Sequence, residues 1–247
     1  MPVQPAGWGA AQAAFYAETI AGSTYTAALL PRLGPAPASL CDIGAGSGLI
    51  AGQWLPSGTP WQAVEPEPFM QTLLSEVAHA RQLRLQLHPC IWQNLPAEVS
   101  ADTVLAANVG ATHHEALRFF QAMQGRWRRE MVWVVAAQDG PSTFCLAGFL
   151  PPELHGADTQ PAVQRTLAEL GIAHAPQSVD FVDWQYRASF SSLEAAQAHF
   201  LDRLQLPQGS DRAQAVSNFV AQHAKPLAGA WQLACQKRSA VLRWTHP

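Results

Sequence analysis

The sequence predicts an α/β protein with a doubly wound, mostly parallel seven-stranded sheet and helices on both faces. Two observations support this class. Short apolar runs alternate with helix-length segments through most of the chain, and the first of these runs breaks into a glycine-rich turn that leads directly into a helix. Right-handed crossovers between parallel strands then place helices on both faces. A chain of 247 residues can bury one core with appended helices, so we predict a single domain over residues 1–247.

The alternating part of the chain contains five short apolar runs separated by amphipathic segments. The predicted strands cover residues 39–43, 61–64, 84–88, 103–107 and 131–136. The predicted helices cover approximately residues 48–54, 68–80, 113–124 and 160–170.

Residues 1–35 are predicted to form an N-terminal helical arm. After a loose, Pro- and Gly-containing start, a helical pattern runs from Ala11 to Leu33 and is interrupted at Gly22-Ser23. Two short helices are therefore expected.

The last third of the chain changes pattern. Residues 178–190 alternate as in a long half-exposed strand, and Ser191 with Glu194 forms a capping-box pattern for a helix that follows. Helices at about 193–204 and 211–224 make residues 191–229 a predicted helical insertion. The final apolar runs, 230–234 and 239–244, indicate one long strand or a hairpin.

Composition argues against several classes of protein. The net charge of −3 and the pI near 6.3 argue against a nucleic-acid partner. The local basic cluster Arg126-Trp127-Arg128-Arg129 is interpreted as the solvated end of a helix, with an anion site as the alternative. No apolar run is long enough to span a bilayer and no basic residue precedes Arg32, so we expect no membrane segment and a cytoplasmic location.

Cysteine and histidine spacing indicates neither disulfides nor a metal site. Cys41 and Cys235 lie in strand-like contexts, where buried reduced thiols are expected. The chain has nine histidines, but neither the His88–Cys90 pair nor His155 has a regular zinc-ligand spacing. We therefore expect no metal.

The segment Leu40–Gly48 has the strongest functional pattern in the chain. Its apolar run includes Asp42 and then enters a loop with glycine at every second position, which lets a ligand approach the backbone closely. The glycines are Gly44, Gly46 and Gly48. The dinucleotide fingerprint requires glycine or alanine where this chain has Leu49, so the spacing disfavours a nicotinamide cofactor.

A second acid, Glu65, ends the next predicted strand about twenty residues after the glycine loop. Ligands of open α/β sheets bind outside the carboxyl ends of the strands, and these two strands flank that position. A carboxylate there can accept hydrogen bonds from both hydroxyls of a ribose. Pro66 follows and leads into the next helix.

The residues from Asp42 to Gly48, together with Glu65, resemble the cofactor motifs of the class I S-adenosylmethionine-dependent methyltransferases. The resemblance is close from about residue 36 to residue 139, with weaker support from Leu95-Pro96 and Asn108. It implies a Rossmann-like methyltransferase fold and S-adenosylmethionine as the cofactor. The glycine loop, including Ala45, would lie under the methionine part, Asp42 would help to hold the α-amino group, and Glu65 would bind the ribose.

The resemblance also implies that the segment after the third strand flanks the adenine, here Cys90, Ile91 and Trp92. Many members have an aspartate there for the exocyclic amine, and this chain has none. Adenine recognition is then expected from backbone groups, from Gln93 or Asn94, or from stacking on Trp92.

Further site candidates come from the strand-four end and the N-terminal helices. Asn108 either touches the cofactor or acceptor or caps the following helix. The family's N-terminal helices often fold over the cofactor as a lid, which nominates Tyr25 with Thr24, or Tyr16 instead, for the cofactor carboxylate. His113 and His114 lie on the expected acceptor side, where a histidine can act as a general base.

The predicted function is methyl transfer to a small-molecule acceptor by in-line displacement, which needs orientation rather than a protein nucleophile. The helical insertion at 191–229 is the candidate acceptor cap. A non-catalytic protein that binds S-adenosylmethionine on the same fold is the alternative, and a nicotinamide-dependent oxidoreductase is a third. The sequence leaves the acceptor atom and the oligomeric state open.

Overall fold

The computed structural model describes residues 9–109, 112–139, 149–155 and 159–246, with the side chain of His113 left out. Residues 1–8, the start of the predicted N-terminal arm, lie outside this part. The strands are β1 Leu40–Ile43, β2 Pro60–Val64, β3 Arg84–His88, β4 Ala101–Ala107, β5 Trp127–Ala136, β6 Ser178–Phe190, β7 Lys225–Leu227 and β8 Ala230–Thr245. The helices are α1 Ala10–Ala21, α2 Tyr25–Leu33, α3 Leu49–Trp54, α4 Pro68–Ala80, α5 Ala116–Met123, α6 Pro152–His155, α7 Ala162–Leu170, α8 Leu193–Arg203 and α9 Asp211–His223.

The strands form one mixed sheet in the order β3-β2-β1-β4-β5-β8-β6. Strands β1 to β5 are parallel, whereas β8 runs antiparallel to both of its neighbours, β5 and β6. The predicted mostly parallel α/β sheet is confirmed. The short strand β7, which pairs with β8, is an addition to the seven predicted strands.

Each face of the sheet carries its own core. One face presents residues such as Leu40, Trp61 and Leu105 to the N-terminal helices, α3, α4, α8 and α9. The other presents Cys41 and Val104, among others, to α5 and α7. Because side chains alternate along a strand, neighbouring residues of β1 serve opposite cores. Cys41 is fully buried in this second core, as predicted.

The N-terminal helices contact both α4 and the edge strand β6 on one face of the sheet. In α1, Ala13 and Ala17 pack against Met70 of α4. The turn before α2 is fixed to β6, since the Thr24 amide donates to the Gln185 carbonyl at 3.1 Å and the Gln185 amide donates to Thr24 Oγ1 at 2.8 Å. The predicted break between two helices is confirmed.

The N-cap of α8, the first helix of the insertion, lies one residue later than predicted. Ser192, not Ser191, is the N-cap of α8, and its Oγ accepts a hydrogen bond from the Ala195 amide at 3.1 Å. Ser192 has the extended backbone that an N-cap needs, with φ −152° and ψ 168°. The final apolar runs form the single long strand β8, which decides between the strand and the hairpin.

The basic cluster Arg126–Arg129, which leads into and begins β5, contacts other parts of the protein. The Arg126 guanidinium donates to the carbonyls of Leu95, Pro96 and Val99, and so holds the loop that leads into β4. Arg128 donates to Ser39 Oγ. The cluster therefore fixes loops beneath the amino ends of the strands, and it is neither a free solvated end nor an open anion site.

Candidate functional site

The loop between β1 and α3 has a backbone that requires its glycines. Gly44, Gly46 and Gly48 have φ values of +65°, +55° and +75°, a region that residues with a side chain rarely adopt. The amides of Gly44 and Ala45 both donate to the Val64 carbonyl, at 2.8 and 3.1 Å. The end of β2 therefore holds the first turn of the loop in place.

The three glycines differ in the space above them. A Cβ at Gly48 would lie 2.8 Å from the Trp61 ring and 3.1 Å from Leu74 Cβ, and a Cβ at Gly44 would lie 3.0 Å from Val109. No atom lies within 4 Å of the corresponding position at Gly46. Gly44 and Gly48 thus allow close internal packing, and Gly46 presents an open backbone surface.

Glu65 connects this loop to the start of α4. Its carboxylate accepts hydrogen bonds from the Gly46 amide at 2.8 Å and from the Glu67 amide at 2.9 Å, one on each oxygen. Burial raises the pKa of Glu65, and these two amide bonds lower it. Because each carboxylate oxygen has two acceptor positions, both oxygens keep capacity for a further donor.

Asp42, in β1, is a second buried carboxyl group on the core face that Trp61 shares, and it is 3% exposed. Its pKa is raised to about 7, chiefly by burial; the indole N–H of Trp61 opposes this rise and the charge of Glu65 adds to it. Asp42 and Glu65 therefore lie close enough to interact at the ends of β1 and β2, and their mutual repulsion favours a cation beside them.

Two of the predicted site residues, Asn108 and Tyr25, are hydrogen-bonded to each other. Asn108 Nδ2 donates to Tyr25 Oη at 2.8 Å across 83 positions of sequence. Asn108 follows β4 with φ +55°, and its amide donates to the Val134 carbonyl. Asn108 does not cap α5, since this helix begins after Glu115 and its first amides, those of Ala116 and Leu117, donate to the Glu169 carboxylate.

This bond brings the N-terminal helices to the carboxyl end of the sheet. Tyr25 is 2% exposed, and burial raises the pKa of its phenol well above the usual value, with smaller contributions from Tyr16 and then from Asp42. Since Asn108 donates to the phenol oxygen, the O–H proton of Tyr25 remains able to donate. Thr24, the other candidate in this turn, is bonded to Gln185.

The two predicted adenine-flanking residues after β3, Ile91 and Trp92, lie in different surroundings. Ile91 is 40% exposed, whereas Trp92 is 8% exposed, with its ring centroid 5.2 Å from that of Phe119 in an edge-to-face contact. Trp92 is therefore part of the α5-side core in this structure. Gln93 and Asn94 lie exposed in the same short turn.

Of the two predicted general bases, His113 and His114, the structure describes the side chain of His114. His114 is exposed in the short turn Thr112–His114, and the side chain of His113 lies outside the described residues. Within the described ranges, no three His, Cys, Asp or Glu side chains are grouped so that they could hold a metal ion. In the same part of the chain, no helix is long and apolar enough to cross a membrane.

Sequence reasoning missed two groups near this edge. Trp184 and Tyr186 of β6 are buried, and the Tyr25 and Trp184 ring centroids lie 4.8 Å apart. Lys237 of β8 is 1% exposed beside them. The alternation of β6 gave a signal for its buried aromatic positions, but no sequence signal separates Lys237 from an exposed strand lysine.

No family model and no curated protein matches the sequence. Among solved structures, geranyl diphosphate C-methyltransferase from Streptomyces coelicolor A3(2), in complex with Mg²⁺, geranyl diphosphate and S-adenosyl-L-homocysteine, aligns with a TM-score of 0.50 and 10% identity, covering 100% of this chain and 86% of that one. The YcgJ protein from Bacillus subtilis aligns with a TM-score of 0.46 and 13% identity, over 88% and 96% of the two chains. Magnesium protoporphyrin IX methyltransferase from Synechocystis PCC 6803, with bound S-adenosylmethionine, aligns with a TM-score of 0.37 and 17% identity, over 50% of this chain and 60% of that one.

The alignment with the Streptomyces enzyme spans the whole chain and includes the sheet and the helices on both of its faces. The chain therefore has the fold of the class I S-adenosylmethionine-dependent methyltransferases.

Proposed function

We propose that this protein is an S-adenosylmethionine-dependent methyltransferase that acts on a small-molecule acceptor. The observation that carries the proposal is the Glu65 carboxylate, bonded to the Gly46 amide over the open glycine surface and next to the buried Asp42. The three groups match three parts of the cofactor: the ribose diol, the methionine chain and its cationic amino group.

Each group has a proposed role that follows from its chemistry. Glu65 accepts the ribose hydroxyls on its remaining lone pairs, and Pro66 lies beside the sugar. Gly44, Ala45, Gly46 and Gly48 form the surface under the methionine part. Asp42 attracts the α-ammonium, whose positive charge stabilises the ionised carboxylate.

The other end of the methionine part is assigned to the lid. Tyr25 donates its O–H to the cofactor carboxylate, and Asn108 holds Tyr25 in position from the opposite side of its oxygen. Ile91 covers one side of the adenine from its exposed position, with Trp92 packed behind it in the core. Because the Trp92 ring lies in the core, we propose that backbone groups, Gln93 or Asn94 bind the exocyclic amine of the adenine, and that Trp92 does not stack on it.

The bound cofactor supplies an electrophilic methyl group. The residues of this chain then bind, orient and exclude water, since an in-line displacement requires alignment and no protein nucleophile. Alignment of this kind contributes about 7–11 kcal/mol to lowering a barrier. His113 and His114 remain the proposed general bases for an acceptor that must lose a proton.

A small acceptor fits the construction of the lid and the insertion. Residues 1–35 and 191–229 are the proposed lid and acceptor cap, because α1, α2, α8 and α9 all pack on the face that carries Asp42. The Streptomyces enzyme with this fold acts on geranyl diphosphate, which is a small molecule. The exclusion of nucleic acid stays a prediction from the net charge of −3, and the cytoplasmic location stays a prediction as well.

Isothermal titration with S-adenosylhomocysteine and with NAD⁺ tests the proposal. We expect binding of S-adenosylhomocysteine alone, and we expect Glu65→Gln to weaken it at least about tenfold because the amide cannot accept on its nitrogen side. Glu67→Gln is the matched control, since Glu67 caps α4 through the Met70 amide and is expected to leave the affinity unchanged. Absence of binding to the wild-type protein would refute the cofactor assignment, and binding without consumption of S-adenosylmethionine over an acceptor panel would favour the non-catalytic alternative.

A further inference from the structure

Four hydrogen bonds hold Glu65, the residue proposed to bind the ribose. Its amide donates to the His88 carbonyl at the end of β3, at 3.1 Å. Its two carboxylate oxygens accept from the Gly46 amide at 2.8 Å and from the Glu67 amide at 2.9 Å. The fourth bond comes from α4, where Gln71 Nε2 donates to the backbone carbonyl of Glu65 at 2.8 Å. Of these four partners, Gln71 is the one that contributes its side chain.

The bond from Gln71 fixes a peptide unit that has no donor of its own. Because residue 66 is proline, the peptide unit between Glu65 and Pro66 carries a carbonyl group and no N–H. A hydrogen bond can therefore hold this unit only through its carbonyl oxygen, and in the described part of the chain that oxygen accepts from Gln71. Proline restricts the preceding residue to a broad extended region of backbone conformation. The bond from Gln71 selects one orientation within that region.

The orientation of this peptide unit decides where the Glu65 carboxylate lies. The unit connects Cα of Glu65, which carries the carboxylate, to the turn that brings the Glu67 amide back to Oε1. If the unit rotates, the Glu67 amide moves away from the carboxylate and Oε1 loses its fixed position. The bond from the Gly46 amide to Oε2 then remains, and the plane of the carboxylate can turn about that single contact. Recognition of two hydroxyl groups requires both oxygens to be held, to within about 0.5 Å.

Gln71 lies on a packed turn of a regular helix. Its amide donates to the Glu67 carbonyl at 3.0 Å, and its carbonyl accepts from Ser75 Oγ at 2.6 Å. The preceding residue, Met70, packs against Ala13 and Ala17 of the N-terminal helix α1. A donor on such a turn is a rigid support, which a donor on a surface loop would not be.

We propose that Gln71 is a positioning residue for ribose recognition, which keeps the Glu65 carboxylate oriented toward the two ribose hydroxyls by holding the Glu65 carbonyl. This inference rests on the proposed function and adds a residue that does not itself contact the cofactor. Its effect on binding should therefore depend on the ribose hydroxyls and should pass through Glu65.

The test compares S-adenosylhomocysteine with its 2′,3′-dideoxy analogue, which lacks both ribose hydroxyls, by isothermal titration of the full-length protein. We expect the wild-type protein to bind S-adenosylhomocysteine about tenfold or more tightly than the analogue, since hydrogen bonds to a charged group are lost in the analogue. Gln71→Met keeps the length and approximate volume of the side chain and removes its donor. We expect this variant to bind S-adenosylhomocysteine about fivefold more weakly than wild type, and the analogue within about twofold of wild type.

Two further variants support the comparison. Gln71→Leu, which also lacks the donor, should behave as Gln71→Met does. Thr72→Val is the matched control on the same helix, because the Thr72 hydroxyl donates to the Pro68 carbonyl and makes no bond to Glu65. Both of its affinities should equal those of wild type.

A double-mutant cycle with Glu65→Gln shows whether Gln71 acts through Glu65. In the Glu65→Gln background, Gln71→Met should change the affinity for S-adenosylhomocysteine by less than about twofold, because no carboxylate remains to be positioned. A wild-type preference that survives in Gln71→Met, an equal loss for both compounds, or a full loss in the Glu65→Gln background would overturn the inference and leave the cofactor assignment intact. Wild-type protein is titrated first, and absence of binding to it would refute the proposed function and the inference with it.

Discussion

Replacement of Asp42 by asparagine is expected to stabilise the protein without cofactor and to weaken cofactor binding. The carboxyl group is 3% exposed in β1, and burial with the neighbouring Glu65 charge raises its pKa from 3.8 to about 7. Asparagine has the same shape and no charge to bury. The substitution therefore separates the energetic cost of the acid from its proposed use.

The magnitude follows from the linkage between proton binding and unfolding. Between pH 3.8 and about 7 the folded protein holds a proton on Asp42 that the unfolded chain has lost, so this group makes stability fall as the pH rises through that window. Moving the pKa from 3.8 to about 7 corresponds to a destabilisation of about 4 kcal/mol. This destabilisation is complete above pH 7 and absent below pH 4. Asp42→Asn should therefore exceed the wild-type free energy of unfolding by up to about 4 kcal/mol at pH 8 and by almost nothing at pH 4.

Urea unfolding, followed by the fluorescence of the nine tryptophans, measures this difference at a series of pH values from 4 to 8. Glu76→Gln, at an exposed acid of α4, is the control and should follow the wild-type curve. A difference between Asp42→Asn and wild type that does not change with pH would refute the reasoning. In parallel, the wild-type affinity for S-adenosylhomocysteine should rise as the pH passes 7, and the affinity of Asp42→Asn should be low and independent of pH over the same range.

Three further predictions concern the loop, the lid and the insertion. Gly46→Ala should cost about 1–2 kcal/mol of stability through its φ of +55° and should weaken S-adenosylhomocysteine binding, whereas Gly58→Ala, with φ +82° and equally open space, should cost as much stability and leave binding unchanged; calorimetry that finds equal binding in both would contradict the open-surface role. A double-mutant cycle of Tyr25→Phe and Asn108→Ala should give a coupling of about 1 kcal/mol in unfolding, and additivity would exclude the bond as a stabilising contact. His199→Gln should reduce the loss of stability on acidification, measured by urea unfolding at pH 4 and 7, because burial lowers the pKa of His199 to about 4; an unchanged loss would contradict it.

The fold was predictable because its signals are local and repeated. Most of the parallel strands are largely apolar segments of four or more residues that alternate with helices, and the observed bounds of α4 and β3 are those predicted. The errors occur where the local signal is ambiguous or short. Ser191 and Ser192 both satisfy a capping preference, and only the backbone conformation selects the second; the three residues of β7 are too few to show a period.

The candidate site was predictable in its composition and only partly in its connections. Spacing nominated the glycine loop and Glu65, because a strand, a tight turn and a second strand end must lie at one edge of a parallel sheet. The bond between Asn108 and Tyr25 depends on how the N-terminal helices dock on β6, and no local pattern encodes that docking. Trp92 was nominated for stacking because it follows β3, where the family resemblance places the adenine, but the α5-side core buries its ring.

Asp42 and His199, two buried groups whose pKa values move to about 7 and about 4, should oppose each other in the pH dependence of stability. His199 lies among the rings of Phe15 and Phe190 with its pKa lowered from 6.5 to about 4, so stability from this group is lost as the pH falls through that window, by up to about 3 kcal/mol. Asp42 has the opposite effect, because the protein loses stability through this group as the pH rises over nearly the same range. The wild-type profile should therefore be shallow between pH 4 and 6.5, and each single variant should expose the slope of the other group.

Cofactor binding should remove this compensation. A bound ammonium beside Asp42 lowers the pKa of the carboxyl group and leaves the His199 slope uncompensated. Wild-type protein saturated with S-adenosylhomocysteine should then lose stability on acidification as steeply as cofactor-free Asp42→Asn does. The raised pKa of Glu65 adds a slope of the same sign as Asp42, and the His199→Gln and wild-type curves share it, so their difference still isolates His199. A bound wild-type protein whose profile stays as shallow as the free one would mean that the cofactor's amino group lies away from Asp42.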